Sequence, residues 1–222
     1  IWRKAKKKNM KKERKFGLKE FPRLLYCRYG GKTMIQKQAL AILGSPHSSG
    51  ITATMLKYSV NVAEKAGYAV TKINLYEKNL AYCTGCRACL KTEQCVLKDD
   101  IHEITSQLGA CQVVILAAPV YWANVPAPVK NLFDRLLGIA MEETRAFPKP
   151  RLCGKKYMLL TACNTPAPFS WIFGQSRGAI RNMDEFFKTA GMKPIGKIVC
   201  ANTGKRKAVP DHILRKIERR FK

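Results

Sequence analysis

Short apolar runs alternate with amphipathic helical patterns along most of the chain, and that alternation sharply limits the folds open to it. Residues 39–43 (ALAIL) read as a first strand that ends in Gly44-Ser45-Pro46. Thr52, Met55, Leu56, Ser59, Ala63 and Ala66 then recur at helical spacing until Gly67. Residues 69–75 read as a second strand and 113–118 (VVILAA) as a third, the most apolar run of the chain. Between them Ile101, Ile104 and Leu108 mark a short helix, with Asp99 and Asp100 as caps and Glu103 placed to complete them. Val129, Leu132, Phe133, Leu136 and Leu137 stripe the next helix, opened by Pro126 and Pro128 and ended by Gly138. Lys130 and Arg135 fall on its polar face and read as solvated charges. Residues 157–162 and 195–201 are the fourth and fifth strands. Between these two, Ile180, Met183, Phe186, Phe187 and Ala190 form one helix face, and Ile213, Leu214, Ile217 and Phe221 line a final helix.

Five strands alternating with five helices predict an α/β domain whose parallel sheet is covered on both faces. The first, third and fourth strands carry no charge, whereas the second contains Lys72 and the fifth Lys197. Charge is tolerated at a sheet edge and penalised in its centre, so the second and fifth strands are outermost. That gives a doubly wound five-stranded sheet of order 2-1-3-4-5, the flavodoxin-like order. A Rossmann sheet calls for G-x-G-x-x-G after the first strand, and residues 44–50 (GSPHSSG) lack it.

In this topology ligands bind beyond the carboxyl ends of the first and third strands. Residues 44–54 (GSPHSSGITAT) join the first strand to its helix, where backbone amides and the helix dipole favour a phosphate. Ser45, Ser49 and Thr52 add hydroxyls, His47 adds a positive charge when protonated, and Gly50 and Ile51 offer backbone N–H groups. The plainer alternative is a polar turn whose Ser and Thr cap the helix. The third strand runs into Pro119, Val120, Tyr121, Trp122, Ala123 and Asn124, and Tyr121 and Trp122 present ring faces or edges to a flat aromatic ligand. The alternative there is a cover for the sheet end or a subunit contact. The proline-containing segment 139–155 is long enough to act as a lid or a dimer contact.

Cys83, Cys86, Cys89 and Cys95 form the run C-x2-C-x2-C-x5-C in a loop spanning 76–98. Thiolates two residues apart can converge on one face of an iron–sulfur cubane, whereas structural zinc generally uses two separated C-x2-C knuckles. A 4Fe–4S cluster, plain thiols and zinc all stay open at this point. Cys27, Cys111, Cys153 and Cys200 show no pairing pattern and read as ordinary thiols.

The net charge of +26 is unevenly distributed. Residues 1–33 hold 13 Lys/Arg against two Glu, a net +11, and leave +15 for the rest. With few apolar residues in its opening stretch, this segment reads as a disordered basic leader ahead of a domain over 34–222. Residues 16–29 are interrupted by Lys19, Glu20, Pro22 and Arg23, which argues against a secretory signal. Nine cysteines without such a signal point to a reducing, cytoplasmic setting. No stretch approaches a membrane span, and no RNA-binding or zinc-finger signature accompanies the charge.

The segments GSPHSSGIT, CTGCRACLKTEQCVLKDD at 83–100 and APVYWANVPAPVKNLFDR at 118–135 resemble the NADPH-dependent FMN reductase and iron–sulfur flavoprotein family. The resemblance runs from about Gln36 to Gly204. It implies FMN, with its phosphate on 44–54, its isoalloxazine against 119–124, and a third contact through Ala162, Cys163 and Asn164. The family usually has Arg in place of His47 and Asn in place of Ile51. Its iron–sulfur members hold a 4Fe–4S cluster with this cysteine spacing, while many clusterless reductases keep similar cysteines. The implied activity is an FMN oxidoreductase drawing on NAD(P)H or a reduced protein and serving a small-molecule or protein acceptor. A second reading is an electron-transfer module between a ferredoxin-type donor and FMN. A third is a nucleic-acid binder acting through the leader. The family further implies a homodimer or homotetramer.

Overall fold

The computed structural model describes residues 36–222, which form one unit, Gln36–Lys222. The leader expected over 1–33, with Cys27 and the nucleic-acid reading attached to it, lies outside the described residues. The chain runs β1 (Lys37–Leu43), α1 (Ile51–Lys65), β2 (Tyr68–Asn74), α2 (Cys89–Thr92), α3 (Ile101–Ala110), β3 (Val113–Pro119), α4 (Ala127–Arg135) and α5 (Leu137–Ala140). It continues through β4 (Met141–Glu142), β5 (Lys149–Pro150), β6 (Lys156–Cys163), α6 (Phe169–Ile172), α7 (Gln175–Thr189), β7 (Lys193–Ala201) and α8 (Asp211–Glu218).

The main sheet is parallel throughout, in the order β2-β1-β3-β6-β7. Because β4 and β5 form a separate antiparallel pair, the five sheet strands follow the expected order 2-1-3-4-5. β1 and β6 begin earlier than their apolar runs, at Lys37 and Lys156. Both lysines are exposed, at the strand ends remote from the crevice.

Side chains alternate between two cores, as the two-residue period of a strand requires. Leu40, Ile42, Val114, Leu116, Tyr157 and Leu159 face α3, α4 and α7. Ala39, Ala41, Leu43, Val113, Ile115, Met158 and Leu160 face α1 and α8. Burial on both faces explains why the central strands read as unbroken apolar runs.

Two helix ends differ from expectation. The Ile101 amide donates to Asp99 Oδ1 at 3.1 Å, so Asp99 does cap α3. Asp100 instead accepts from the Asn79 amide at 2.8 Å, and Glu103 pairs with Lys78. The helix after β3 stops at Arg135, and Gly138 sits inside the separate turn α5.

Lys197 marks the edge strand, and it also has a partner. The Asp184 carboxylate on α7 is only 8% exposed and accepts from Tyr157 on β6 at 2.5 Å, Lys188 at 2.8 Å and Lys197 on β7 at 2.6 Å. Burial disfavours its charge, but the two ammonium groups and the phenol outweigh that and hold the carboxyl below its ordinary value. A depressed folded value stabilises the protein above the unfolded pKa of about 3.9, and the contribution fades as pH falls through the folded value. Asp184→Asn is therefore expected to cost about 1–3 kcal/mol at neutral pH in urea melts and to remove part of the wild-type acid limb below about pH 4. An unchanged acid limb would show that the carboxylate contributes nothing.

Candidate functional site

The loops after β1, β3 and β6 meet around an open cavity of about 490 Å³. Ser45, His47, Gly50, Ile51 and Thr52 line one part of it, with Pro119, Val120, Tyr121, Trp122 and Ala123 from the second loop. Ala162, Cys163 and Asn164 come from the third. Thirteen of the fifteen residues expected at a cofactor site thus share one cavity. Ser49 does not line it and is exposed. Asn124 does not line it either, because its side chain is turned back on the Val125 amide at 2.8 Å.

The first loop reaches the cavity because Gly44 has no side chain: a Cβ there would lie 2.2 Å from Val129 Cγ2 on α4. Ser45 is buried and its hydroxyl accepts from the His47 amide at 3.3 Å, which curls the loop. α1 then starts at Gly50 with no side-chain cap and no acidic residue in its first turn. The simple reading, in which Ser and Thr cap the helix, therefore fails. The first-turn amides of α1 stay available to an anion, and no carboxylate competes for them.

The second loop is a tight turn in which Tyr121 and Asn124 exchange backbone hydrogen bonds, both 2.9 Å, across Trp122 and Ala123. Both central residues are left-handed, with φ of 52° and 57°, a conformation that strains residues bearing side chains. The turn leaves Trp122 fully exposed at the cavity rim. Two contacts brace it: Val120 donates to the Ala162 carbonyl at 2.9 Å, and Gly178 of α7 lets the Ala123 carbonyl approach within 2.1 Å of where a Cβ would stand.

Three further residues complete the lining: Thr165, Gln175 and Thr203. The Gln175 side-chain oxygen accepts from Thr165, and Asn164 Oδ1 accepts from Thr203 at 2.8 Å. Thr165 is continuous with a segment already singled out. Gln175 and Thr203 come from the start of α7 and from the turn after edge strand β7, outside the loops of the central strands.

The cysteine loop forms a second feature. Cys83, Cys86, Cys89 and Cys95 all line one small hollow, together with Arg135 and Leu137. Left-handed residues Gly85 and Arg87 fold the backbone between the first three cysteines. The Ala88 amide and Thr84 hydroxyl hold the Cys86 thiol below its ordinary value. Among the described residues no three His, Cys, Asp or Glu side chains converge as a single-ion site. The four thiols surround a hollow instead of meeting at a point.

Arg135 departs from the solvated charge that its helical position suggests. It is 2% exposed, and its guanidinium forks onto Asp99 at 2.8 and 2.9 Å. It also donates to the Ala81 carbonyl at 2.5 Å and, through Nε, to Cys95 Sγ at 3.2 Å. Asn131, one turn earlier, bonds Leu80 O, Ala81 O and the Cys83 amide at 3.2–3.3 Å. The polar face of α4 is thus covered by the cysteine loop. Burial opposes the Asp99 charge, but Arg135 and the amides of Ile101 and Ala81 hold its carboxyl below the ordinary value. Lys130 remains on the surface, paired with Asp134.

The segment 139–155 is tied back to this loop and is not a free lid. A Cβ on Gly138 would lie 2.1 Å from the Cys89 carbonyl oxygen, so α5 packs directly on α2. Arg151 bonds the Gly138 carbonyl at 2.6 Å and pairs with Glu93 at 3.3 Å.

The model of the flavodoxin-like fold family matches residues 37–221. The chain belongs to that family. An iron–sulfur flavoprotein of Archaeoglobus fulgidus is 40% identical over 100 residues, 45% of this chain and 46% of that protein. One from Methanosarcina thermophila is 35% identical over 94 residues, 42% and 49% of the two chains. The chain thus spans about half the length of these relatives. Among solved structures, the NAD(P)H:quinone oxidoreductase of Methanothermobacter marburgensis superposes with a TM-score of 0.68 at 14% identity, over 84% of this chain and 98% of that one. An FMN-dependent NADH-azoreductase of Bacillus anthracis, solved with FMN, gives 0.63 at 12% identity, over 83% and 95%. At such identities the likeness is one of fold. No helix among the described residues is long and apolar enough to cross a membrane.

Gly178→Ala is expected to push the Tyr121–Asn124 turn out of place, costing about 1–3 kcal/mol in chemical denaturation and altering Trp122 emission. Ala123→Gly, which suits the positive φ, should leave both nearly unchanged or add slight stability. Unaltered stability and emission in Gly178→Ala would contradict the bracing role of this contact.

Proposed function

We propose that this chain is an FMN-dependent oxidoreductase whose flavin occupies the cavity between the loops after β1, β3 and β6. The observation that carries the reading is the polarity of that cavity: an uncapped helix N-terminus at one part and an exposed aromatic turn at another. Its volume of about 490 Å³ falls within the range of about 300–1,000 Å³ usual for cofactor sites.

Ser45, Gly50, Ile51 and Thr52 would hold the phosphate through hydroxyls and first-turn amides, with the α1 dipole adding attraction. His47 adds charge when protonated, and Ile51 contributes only its backbone N–H. Val120 is already bonded to Ala162, and Tyr121 and Asn124 to each other, so these groups serve to fix the turn. The amides of Trp122 and Ala123 remain for the polar edge of the ring, with Pro119 and Tyr121 beside it. Asn164, which accepts from Thr203, and Gln175, which accepts from Thr165, complete the lining as two hydrogen-bonded pairs. FMN supplies the hydride and electron chemistry, while the protein binds, orients and tunes it. NAD(P)H is the donor that this reading favours, with a small molecule as acceptor. The exposed Trp122, Phe169, Trp171, Ile172 and Phe173 favour a homo-oligomer that covers them.

A second reading adds a 4Fe–4S cluster on Cys83, Cys86, Cys89 and Cys95 and makes the chain an electron-transfer module served by a ferredoxin-type donor. Three observations favour it. The four thiols ring one hollow, and left-handed residues between cysteines give backbone concavities of the kind that receive iron–sulfur clusters. α4 also runs from the aromatic turn to the quartet, nine residues or about 13 Å. A cluster would supply one-electron storage there.

Anaerobically purified protein, supplied with FMN, iron and sulfide and then desalted, is expected to retain an oxidised-flavin spectrum together with iron and acid-labile sulfide. Absence of retained flavin overturns the first reading, and absence of iron and sulfide overturns the second.

A further inference from the structure

Arg135 is an expensive residue to bury. Replacing a buried ion pair with well-packed apolar residues is often neutral or stabilising, whereas removing one partner alone strands a buried charge and is strongly destabilising. The Asp99 fork alone would tie α4 to the start of α3. The third nitrogen does something more: Nε points at the sulfur of Cys95 from 3.2 Å. The guanidinium is thus pinned on one side by a carboxylate, itself held by the Ala81 and Ile101 amides at 3.0 and 3.1 Å. On the other side it presents an N–H and a positive charge to one of the four thiols. Cys83 is fixed from the same helix through Asn131.

We infer that Arg135 is a positioning residue for the cysteine quartet, orienting Cys95 as a ligand and stabilising added negative charge on whatever metal group the four sulfurs hold. The inference rests on the cluster reading given above for the occupant, and on this chain's own contacts for the role. Outer residues that hydrogen-bond a ligand orient it and commonly account for about 10–100-fold in metal affinity. Hydrogen bonds to cluster sulfurs, net charge and burial are the levers that set an iron–sulfur potential. A cation donating to sulfur favours the reduced, more negative state and so raises the potential. Lysine keeps the charge but cannot fork onto Asp99 and reach Cys95 at the same time.

The test compares the wild-type full chain with Arg135→Lys and with the double variant Arg135→Met/Asp99→Leu, which removes both buried charges and so avoids stranding the carboxylate. Circular dichroism establishes which variants fold. Each protein is reconstituted anaerobically with ferrous iron and sulfide, and its iron content and cluster reduction potential are measured. The apo-chain is separately titrated with Cd(II), followed by thiolate-to-metal absorbance. The inference expects a more negative potential in both variants, more so in the double variant, and Cd(II) affinity lowered about 10–100-fold. A folded variant that loses its iron while Cd(II) binding weakens also supports it. A folded double variant with full iron and an unchanged potential, or with unchanged Cd(II) affinity, overturns it. If the wild-type chain takes up no iron and sulfide, the cluster reading fails. The Cd(II) comparison then decides the role of Arg135: weakened binding supports it and unchanged binding overturns it.

Discussion

Reversal of the chain's crossovers between β1 and β3 is the constraint on which the rest depends. Each parallel strand must return to the same end of the sheet through a helix, and successive crossovers lie on opposite faces where the winding direction changes. α1 and α8 cover one face and α3, α4 and α7 the other. At the switch the loops after β1 and β3 part, and the gap between them is the cavity. Gly44 allows the two sides to stay close there, since any side chain would strike Val129. The three central strands carry few polar groups inside the sheet, so the loops beyond their carboxyl ends supply the polar and strained groups of the cavity.

α4 links the two chemically rich regions. Its N-terminus follows directly from the aromatic turn, its apolar stripe packs on the sheet, and its polar stripe carries Asn131 and Arg135 into the cysteine loop. One rigid helix therefore orients both the cavity wall and the quartet. A displacement of α4 would be felt in both.

Much of this was legible in the residues. Central strands buried on two faces show themselves as uncharged apolar runs, and Lys72 and Lys197 marked the edges correctly. Ten cavity residues followed from the positions of the first two loops, and Ala162, Cys163 and Asn164 from the family resemblance. What escaped had long-range causes. Arg135 falls at the margin of the apolar stripe of α4, where a charge on an isolated helix would reach water; a loop some 36–54 residues earlier in the chain covers it. Trp122 and Ala123 carry no sign of a left-handed turn, which Asn-Gly would have given, because tertiary contacts to Ala162 and Gly178 impose the conformation. Asn124 and Ser49 stood in the right segments, but the Asn124 side chain turns back on the Val125 amide and Ser49 is exposed outside the cavity lining.

The central claim is that the start of α1 holds a phosphate while the neighbouring loops hold a flavin ring. Comparing dissociation constants for FMN and riboflavin on the same protein tests it most directly. Two charge-assisted bonds at about 1.5 kcal/mol each correspond to roughly 100-fold, so riboflavin should bind on the order of 100-fold more weakly than FMN. Equal affinity for the two would contradict the account.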